Sequence, residues 1–179
     1  MVRKIYFLIL FITRYPLNIL KNNKIHSTTR ISNNNKISNS VIGKYCYIAC
    51  NIVMNRVKIG NYCSIAAGVQ IGGMEHAFWW HSTSTFLSDK AIANKITHIG
   101  NDVWIAGGSI IKQGVSIGDG SVIGAMSFVN KDVPPNSIVF GNPAKVYKER
   151  MDPEVFKKLI ESEFFLKTPE EAKKILDKI

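Results

Sequence analysis

The first 74 residues of this 179-residue chain contain neither aspartate nor glutamate. Ten lysines and arginines fall there, whereas the remaining 13 basic residues balance all 13 acidic ones. The whole net charge of +10 therefore belongs to the N-terminal part of the chain. This distribution indicates either an ordinary solvated basic face or a site for an anionic partner, for which we expect a polymer or a membrane surface rather than nucleic acid.

The chain also lacks a hydrophobic run that could span a bilayer, because the apolar residues 5–12 are soon followed by Arg14 and Pro16. No small-residue cleavage site follows, which argues against a signal peptide. We interpret residues 1–24 as a packed cap or an interfacial segment with basic flanks. The predicted location is cytoplasmic, either free or peripheral to the inner membrane.

What the chain does have is an aliphatic residue at every sixth position. The clearest block opens at Ile99, Ile105, Ile111, Ile117, Ile123 and Val129. The fifth places of these hexads are all small or β-branched: Val103, Ser109, Val115, Ser121, Ser127 and Val133. An earlier block opens at Ile42, Ile59, Ile65 and Ile71, after a fainter start at Ile25, Ile31 and Ile37.

A period of six fits neither a helix, with 3.6 residues per turn, nor an isolated strand, with a period of two. Three short strands bent into a triangular coil do explain it, with the opening aliphatic inside and glycine or asparagine at the corners. Stacked coils pair their backbones, so the prediction is an all-β parallel β-helix. Cys46 and Cys63 occupy fifth places and are predicted to be core residues. With Cys50 they make an odd number, which favours reduced thiols.

These repeats, and above all "IGNDVWI...GVSIGDGSVIGAMSFVNKDVPPNSIVFGNPAKV", resemble the hexapeptide-repeat acyltransferases, in particular the acetyl-CoA-dependent sugar and antibiotic O-acetyltransferases. The resemblance implies a left-handed parallel β-helix over residues 25–149, a homotrimer, and acetyl-CoA as co-substrate without a metal. Residues 150–179 are similar to the C-terminal helical segment of the antibiotic-modifying branch. One helix is predicted from Pro153 and a second from Thr168-Pro169.

The period stops at Ile71 and resumes at Ile99, so residues 72–98 form an inserted loop. Loops inserted at solenoid corners often carry function. Acyl transfer to a hydroxyl needs a base, and the unperturbed pKa of histidine lies near neutrality. In the sugar O-acetyltransferase branch, the catalytic histidine stands six residues before Ser-Thr-Ser, which here implies His76. His81 is the less favoured candidate, because it stands where the family often has an aliphatic residue, and His98 is predicted to be a corner residue.

Other residues of the loop are candidates for the acceptor site. Trp79 and Trp80 offer flat apolar area and an N–H donor, which suits stacking on a sugar ring. Packing of the loop against a neighbouring subunit is an equal alternative for both. Glu75 or a backbone carbonyl could orient His76, and Glu75 and Ser82 complete the predicted acceptor set.

For the donor, the resemblance implies that Trp104 borders the pantetheine arm of acetyl-CoA. It assigns backbone contacts to Ala106, Gly107 and Ala125, and a hydrogen-bonding side chain to Asn130. The basic residues assigned to the nucleotide end are Lys131, Lys145 and Arg150.

The function predicted from the sequence is acetyl-CoA-dependent O-acetylation of a bacterial surface carbohydrate such as a capsule, an O-antigen or a precursor. The basic N-terminal part favours this acceptor, because many capsules are polyanionic. A xenobiotic O-acetyltransferase is the main alternative, followed by a sugar N-acetyltransferase and a non-enzymatic β-helix scaffold. A metal-dependent relative would need three converging histidines, and the sequence offers no such arrangement.

Overall fold

Short strands recur three to a coil along the chain. The structure is a computed structural model and describes residues 22–88, 90 and 95–179. The first coils hold β1 (Lys24–Ile25), β2 (Arg30–Ile31), β3 (Lys36–Ser38), β4 (Val41–Ile42), β5 (Tyr47–Ile48), β6 (Val53–Asn55), β7 (Val57–Ile59), β8 (Ser64–Ile65) and β9 (Gln70–Gly72). After the loop come β10 (Thr97–Ile99), β11 (Trp104–Ile105), β12 (Ile110–Ile111), β13 (Ser116–Ile117), β14 (Val122–Ile123), β15 (Phe128–Val129), β16 (Ser137–Gly141) and β17 (Ala144–Glu149).

Every third strand belongs to the same sheet. The first sheet has the order β1-β4-β7-β10-β13, the second β2-β5-β8-β11-β14-β16-β17, and the third β3-β6-β9-β12-β15. All neighbours run parallel except β16 and β17, which pair antiparallel at the C-terminal end. The described strands therefore form a three-sided parallel β-helix, and the predicted all-β solenoid is confirmed.

The first and fifth side chains of the hexads point into the interior of the β-helix, as the six-residue period predicted. Each aliphatic that opens a hexad from Ile42 onward is at most 4% exposed, and Ile48, Ile65, Ile105 and Ile123 of the second sheet are completely buried. The fifth places are buried beside them, including Cys63. A hydrogen bond to Cys46 and then burial raise the pKa of the Cys63 thiol well above its usual value, so it stays protonated and unreactive.

The coils before the loop are one residue shorter than those after it. Ile25, Ile42 and Ile59 are aligned at intervals of 17 residues, whereas Ile99 and Ile117 are 18 apart. The missing residue falls at the corner between the third and first sheets, where five positions rather than six separate one inward aliphatic from the next. This shortening explains why the hexad pattern is fainter in the N-terminal block.

The corners are less restricted in sequence than predicted. Asn34, Asn51 and Gly68 adopt the expected positive φ, but so do Tyr45 and Tyr62. Such a conformation is uncommon for a large side chain. The two tyrosine rings stack across successive coils with centroids 5.0 Å apart, and this contact offsets part of the cost of the turn.

The C-terminal segment packs on this tyrosine corner. It consists of α1 (Pro153–Glu161), a short 3₁₀ turn (Phe164–Leu166) and α2 (Pro169–Leu176). The hydroxyl of Tyr62 donates to the carbonyl of Lys167 at 2.8 Å. Thr168 and Glu171 form a capping box at the start of α2. The predicted helical tail is confirmed, and the 3₁₀ turn between its helices was not foreseen.

The N-terminal cap and interfacial segment, predicted for residues 1–24, lies outside the described residues except for residues 22–24. Among the residues that the structure does describe, no helix is long and apolar enough to cross a membrane. The proposed membrane contact therefore rests on the sequence alone.

Two adjacent isoleucines of β12 give a matched test of the coil packing. Ile111 is completely buried and Ile110, pointing outward, is 42% exposed. We expect Ile111→Ala to lower the free energy of unfolding by about 2–5 kcal/mol, because it removes buried methyl groups and leaves a cavity. Ile110→Ala should lose less than half as much in the same urea titration. Equal losses would contradict the assignment of inward and outward faces.

Candidate active site

The inserted loop leaves and re-enters the β-helix at one corner. β9 ends at Gly72 and β10 begins at Thr97, so the loop comprises residues 73–96, slightly fewer than the predicted 72–98. Of these, the structure describes 73–88, 90, 95 and 96. The loop therefore projects from the edge between the third and first sheets.

His76 lies near the start of this loop with its side chain exposed. Its Nδ1 is 2.6 Å from the carbonyl oxygen of Thr83, a residue of the predicted Ser-Thr-Ser motif. Because a carbonyl oxygen can only accept a hydrogen bond, Nδ1 must carry the proton. The neutral ring then presents Nε2 as an acceptor, which is the form that a general base requires.

Glu75 contacts other groups. Its carboxylate forms an ion pair with Nζ of Lys112 at 2.9 Å. Hydrogen bonds from Lys112 and then from Gln113 lower the pKa of Glu75, so it stays ionised at neutral pH. Of the two orienting groups considered for His76, the structure has the backbone carbonyl, and Glu75 instead connects the loop to the body of the β-helix.

The other histidines occupy different environments. His81 is exposed, with its ring centroid 5.9 Å from that of Trp80. His98 is the middle residue of β10, aligned with Lys58 and Ser116 on the outer face of the first sheet. The prediction that His98 is a corner residue is wrong, because the strand begins one residue before it.

A cavity of about 380 Å³ lies between the loop and the adjoining corner. Its walls come from successive turns of the β-helix and from both ends of the loop. The lining residues are Glu75, Trp79, Lys95, Lys112, Gln113, Gly114, Val115, Asn130, Lys131 and Asp132. Gln113 is 8% exposed, and its Oε1 has no hydrogen-bond partner within residues 22–88, 90 and 95–179, so a buried acceptor is left there for a ligand donor.

Only some of the residues predicted to bind the acceptor line this cavity. Glu75 and the exposed Trp79 line it. Trp80 is half-buried beside His81, and the hydroxyl of Ser82 accepts a hydrogen bond from the backbone N–H of Ser84. Trp80 and Ser82 thus make their contacts within the loop.

A second cavity of about 480 Å³ lies over the second sheet. It is lined by Tyr62, Ser64, Asp102, Val103, Trp104, Val122 and Arg150. Trp104 is 52% exposed, which agrees with its predicted outward position. Arg150 pairs with the Asp102 carboxylate at 2.8 Å and donates to the carbonyl of Gly120 at 3.0 Å, so protein groups already hold its guanidinium.

The residues assigned to the donor do not share one surface of a single chain. Trp104 and Arg150 border the second sheet, whereas Asn130 and Lys131 line the cavity beside the loop. Ala106 is buried and directly follows β11, and Gly107 and the exposed Ala125 lie at the corner after the second sheet. Lys145 is exposed on β17.

Sequence reasoning missed Lys95, Lys112, Gln113 and Asp132. The signal that could have found them is their position: Lys112 and Gln113 directly follow an inward aliphatic at the corner that carries the loop. Within the described ranges, no group of three or more His, Cys, Asp or Glu side chains could hold a metal ion.

Comparison with known sequences identifies the repeats. Residues 96–131 match the family model described as bacterial transferase hexapeptide (six repeats). A chloramphenicol acetyltransferase of Klebsiella aerogenes is 37% identical over 108 residues, which cover 54% of this chain and 51% of that enzyme. The chain thus spans about half the length of this curated relative.

Solved structures extend the likeness over most of the chain. A hexapeptide-repeat acetyltransferase of Vibrio cholerae, complexed with acetyl coenzyme A, is 30% identical with a TM-score of 0.69, covering 78% of each chain. A maltose O-acetyltransferase of Clostridium difficile is 31% identical with a TM-score of 0.61, covering 69% of this chain and 67% of that one. The chain belongs to the hexapeptide-repeat transferase family.

Proposed function

We propose that this protein is an acetyl-CoA-dependent O-acetyltransferase that modifies a hydroxyl of a bacterial surface carbohydrate, with His76 as the general base. The observation that carries the proposal is the hydrogen bond from His76 Nδ1 to the Thr83 carbonyl. It leaves Nε2 free to accept a proton, on a loop beside a cavity lined by an aromatic ring and polar groups. The likeness to acetyltransferases supports the same reaction class.

In the proposed reaction, the acceptor oxygen attacks the thioester carbonyl carbon while its proton passes to Nε2 of His76. The new C–O bond forms and the C–S bond breaks, and the imidazolium returns the proton to the sulfur of the departing coenzyme A. The Thr83 carbonyl contributes by fixing the tautomer and by stabilising the positive charge that develops on the ring.

The donor set favours an assembly of several chains. Trp104, proposed to border the pantetheine arm, and Lys131, proposed to contact a phosphate, lie at different places on one chain. A neighbouring chain packed beside the loop would present its second sheet to the loop cavity and bring the two residues to one donor. We therefore propose a homotrimer, in which Ala106, Gly107, Ala125, Asn130, Lys145 and Arg150 complete the donor set.

The charge of the N-terminal coils favours an anionic acceptor. Between residues 22 and 74 there are six lysines and arginines and no acidic residue. Four residues aligned on successive strands form a row along the outer face of the first sheet, and all four are exposed. In order they are Lys24, Val41, Lys58 and His98. This face leads from the N-terminal coil to the strand that follows the loop, so a polyanion bound along it would pass beside the cavity.

One observation favours a second function. The curated relative reported above is named for acetylation of an antibiotic, chloramphenicol, and Trp79 would suit an aromatic drug as well as a sugar. We keep xenobiotic O-acetylation as the alternative.

An acceptor panel should separate the two functions. We expect acetyl-CoA consumption and a mass gain of one acetyl group with an oligosaccharide of glucuronic acid or with maltose, but not with chloramphenicol. For the anionic acceptor, kcat/KM should fall as salt rises, because the Debye length shrinks from about 10 Å at 0.1 M to about 3 Å at 1 M. Acetylation of chloramphenicol alone would favour the alternative.

Removal of the proposed base tests the mechanism. His76→Ala should lower kcat by about 10²–10⁴, the usual contribution of a positioned acid–base group, and leave acetyl-CoA affinity unchanged in calorimetry. His81→Ala, five positions along the same loop, is the matched control and should retain nearly full turnover. If His81→Ala abolishes turnover and His76→Ala does not, the proposed assignment of His76 as the base is wrong.

The assembly can be measured directly. Light scattering at assay concentrations should give three times the 20.0 kDa mass of the chain. A monomeric mass with full activity would contradict a donor site shared between chains.

A further inference from the structure

The corner at residues 112–114 contacts both ends of the inserted loop. At the outgoing end, Glu75 pairs with Lys112 at 2.9 Å. At the returning end, the side chain of Lys95 lies over Gly114. A Cβ atom added to Gly114 would lie only 2.8 Å from Lys95 Cβ. The loop is therefore fastened to the turn that follows β12, one coil beyond the point where it leaves.

Further along the loop, hydrogen bonds connect loop residues to one another. The N–H of Phe78 donates to the His76 carbonyl at 2.8 Å, and that of Trp80 to the Ala77 carbonyl at 3.1 Å. The His76 ring is itself bonded to Thr83. These bonds fix the conformation of the loop around the imidazole. They do not fix the position of the imidazole relative to the β-helix.

Glu75 is suited to fix that position. It directly precedes His76, and its carboxylate accepts from Lys112 and from Gln113, two consecutive residues of the corner. Lys95 is a second cation that acts on the carboxylate, and Lys131 and Asp132 from the next turn line the same cavity. Among the residues that the structure describes, the Oε1 of Gln113 has no hydrogen-bond partner.

We propose that Glu75 and Lys112 are a positioning pair, which holds the backbone of His76 against the corner so that Nε2 meets the acceptor hydroxyl. This inference rests on the proposed role of His76 as the base. The pair does not touch the reacting atoms in this mechanism; it acts through His76.

Stability and catalysis should respond differently to loss of this pair. The side chains of Glu75 and Lys112 are 40% and 44% exposed, and ion pairs this open contribute little to folding. A displacement of the base of about 1 Å, by contrast, can slow catalysis by about 10²-fold. Turnover should therefore fall in variants whose melting temperature is unchanged.

The pair can be tested by exchanging its charges in the full-length protein. We expect Glu75→Lys and Lys112→Glu each to lower kcat by about 10- to 100-fold. The double variant Glu75→Lys/Lys112→Glu re-forms the pair in reverse and should recover most of the loss. Turnover is measured with acetyl-CoA and the best acceptor of the panel, or as acetyl-CoA hydrolysis with water as acceptor. Lys157→Met and Glu161→Gln on the exposed face of α1 are matched controls.

Neutralising either partner gives a readout that a purely structural role would not move. Glu75→Gln and Lys112→Met break the pair without placing a second like charge at the corner. Each should lower kcat while the KM for acetyl-CoA and the melting temperature stay unchanged, because the pair acts through the position of His76.

The outcomes separate this inference from the proposed function. Loss of activity in His76→Ala, with unchanged kcat in both single charge variants, would overturn the positioning pair alone. Failure of the double variant to recover, or a rise in KM for acetyl-CoA at constant kcat, would overturn it too. If His76→Ala keeps full activity, the proposed base is wrong and the pair loses its function.

Discussion

Hydrogen bonding between successive coils is the constraint on which the whole structure depends. Each short strand pairs with the strand one coil away, so a coil has no paired backbone of its own. The pairing continues without interruption across the inserted loop. Gly60 N–H donates to the Ile99 carbonyl at 2.9 Å, and Ser64 N–H donates to the Val103 carbonyl at 2.9 Å, although the loop lies between them in the chain. The loop is tolerated because it leaves and returns at one corner.

That arrangement separates stability from chemistry. The aliphatic core of the prism extends past the loop, with Ile71 aligned on Ile111 and Ile65 aligned on Ile105. The loop itself carries exposed aromatic and hydroxyl residues, and its proposed base is bonded to a carbonyl of the same loop. Polar and aromatic groups can therefore gather beside the β-helix without entering its interior, where an unpaired polar group would be costly.

The corners show why side chains outside the core still matter. Tyr62 combines a positive φ, a stacking contact with Tyr45 and a hydrogen bond to Lys167, and through these it fastens the C-terminal helices to the prism. Lys112 and Gln113 occupy another corner and there contact Glu75. Corner residues are free of the inward packing rule, so they are available for contacts with segments that lie outside the solenoid.

The sequence by itself determined the solenoid, because a six-residue period with inward aliphatics has few other solutions. Its resemblance to the sugar O-acetyltransferases also singled out His76 as the proposed base. It also predicted both helix starts, since Pro153 and the Thr168–Glu171 box carry local signals. It could not say that Thr83 rather than Glu75 orients His76, nor that Glu75 meets Lys112, because those contacts join positions that no repeat relates. Only the tertiary structure decided which side chains share a cavity, since stacking brings together residues that are separated along the chain by whole coils.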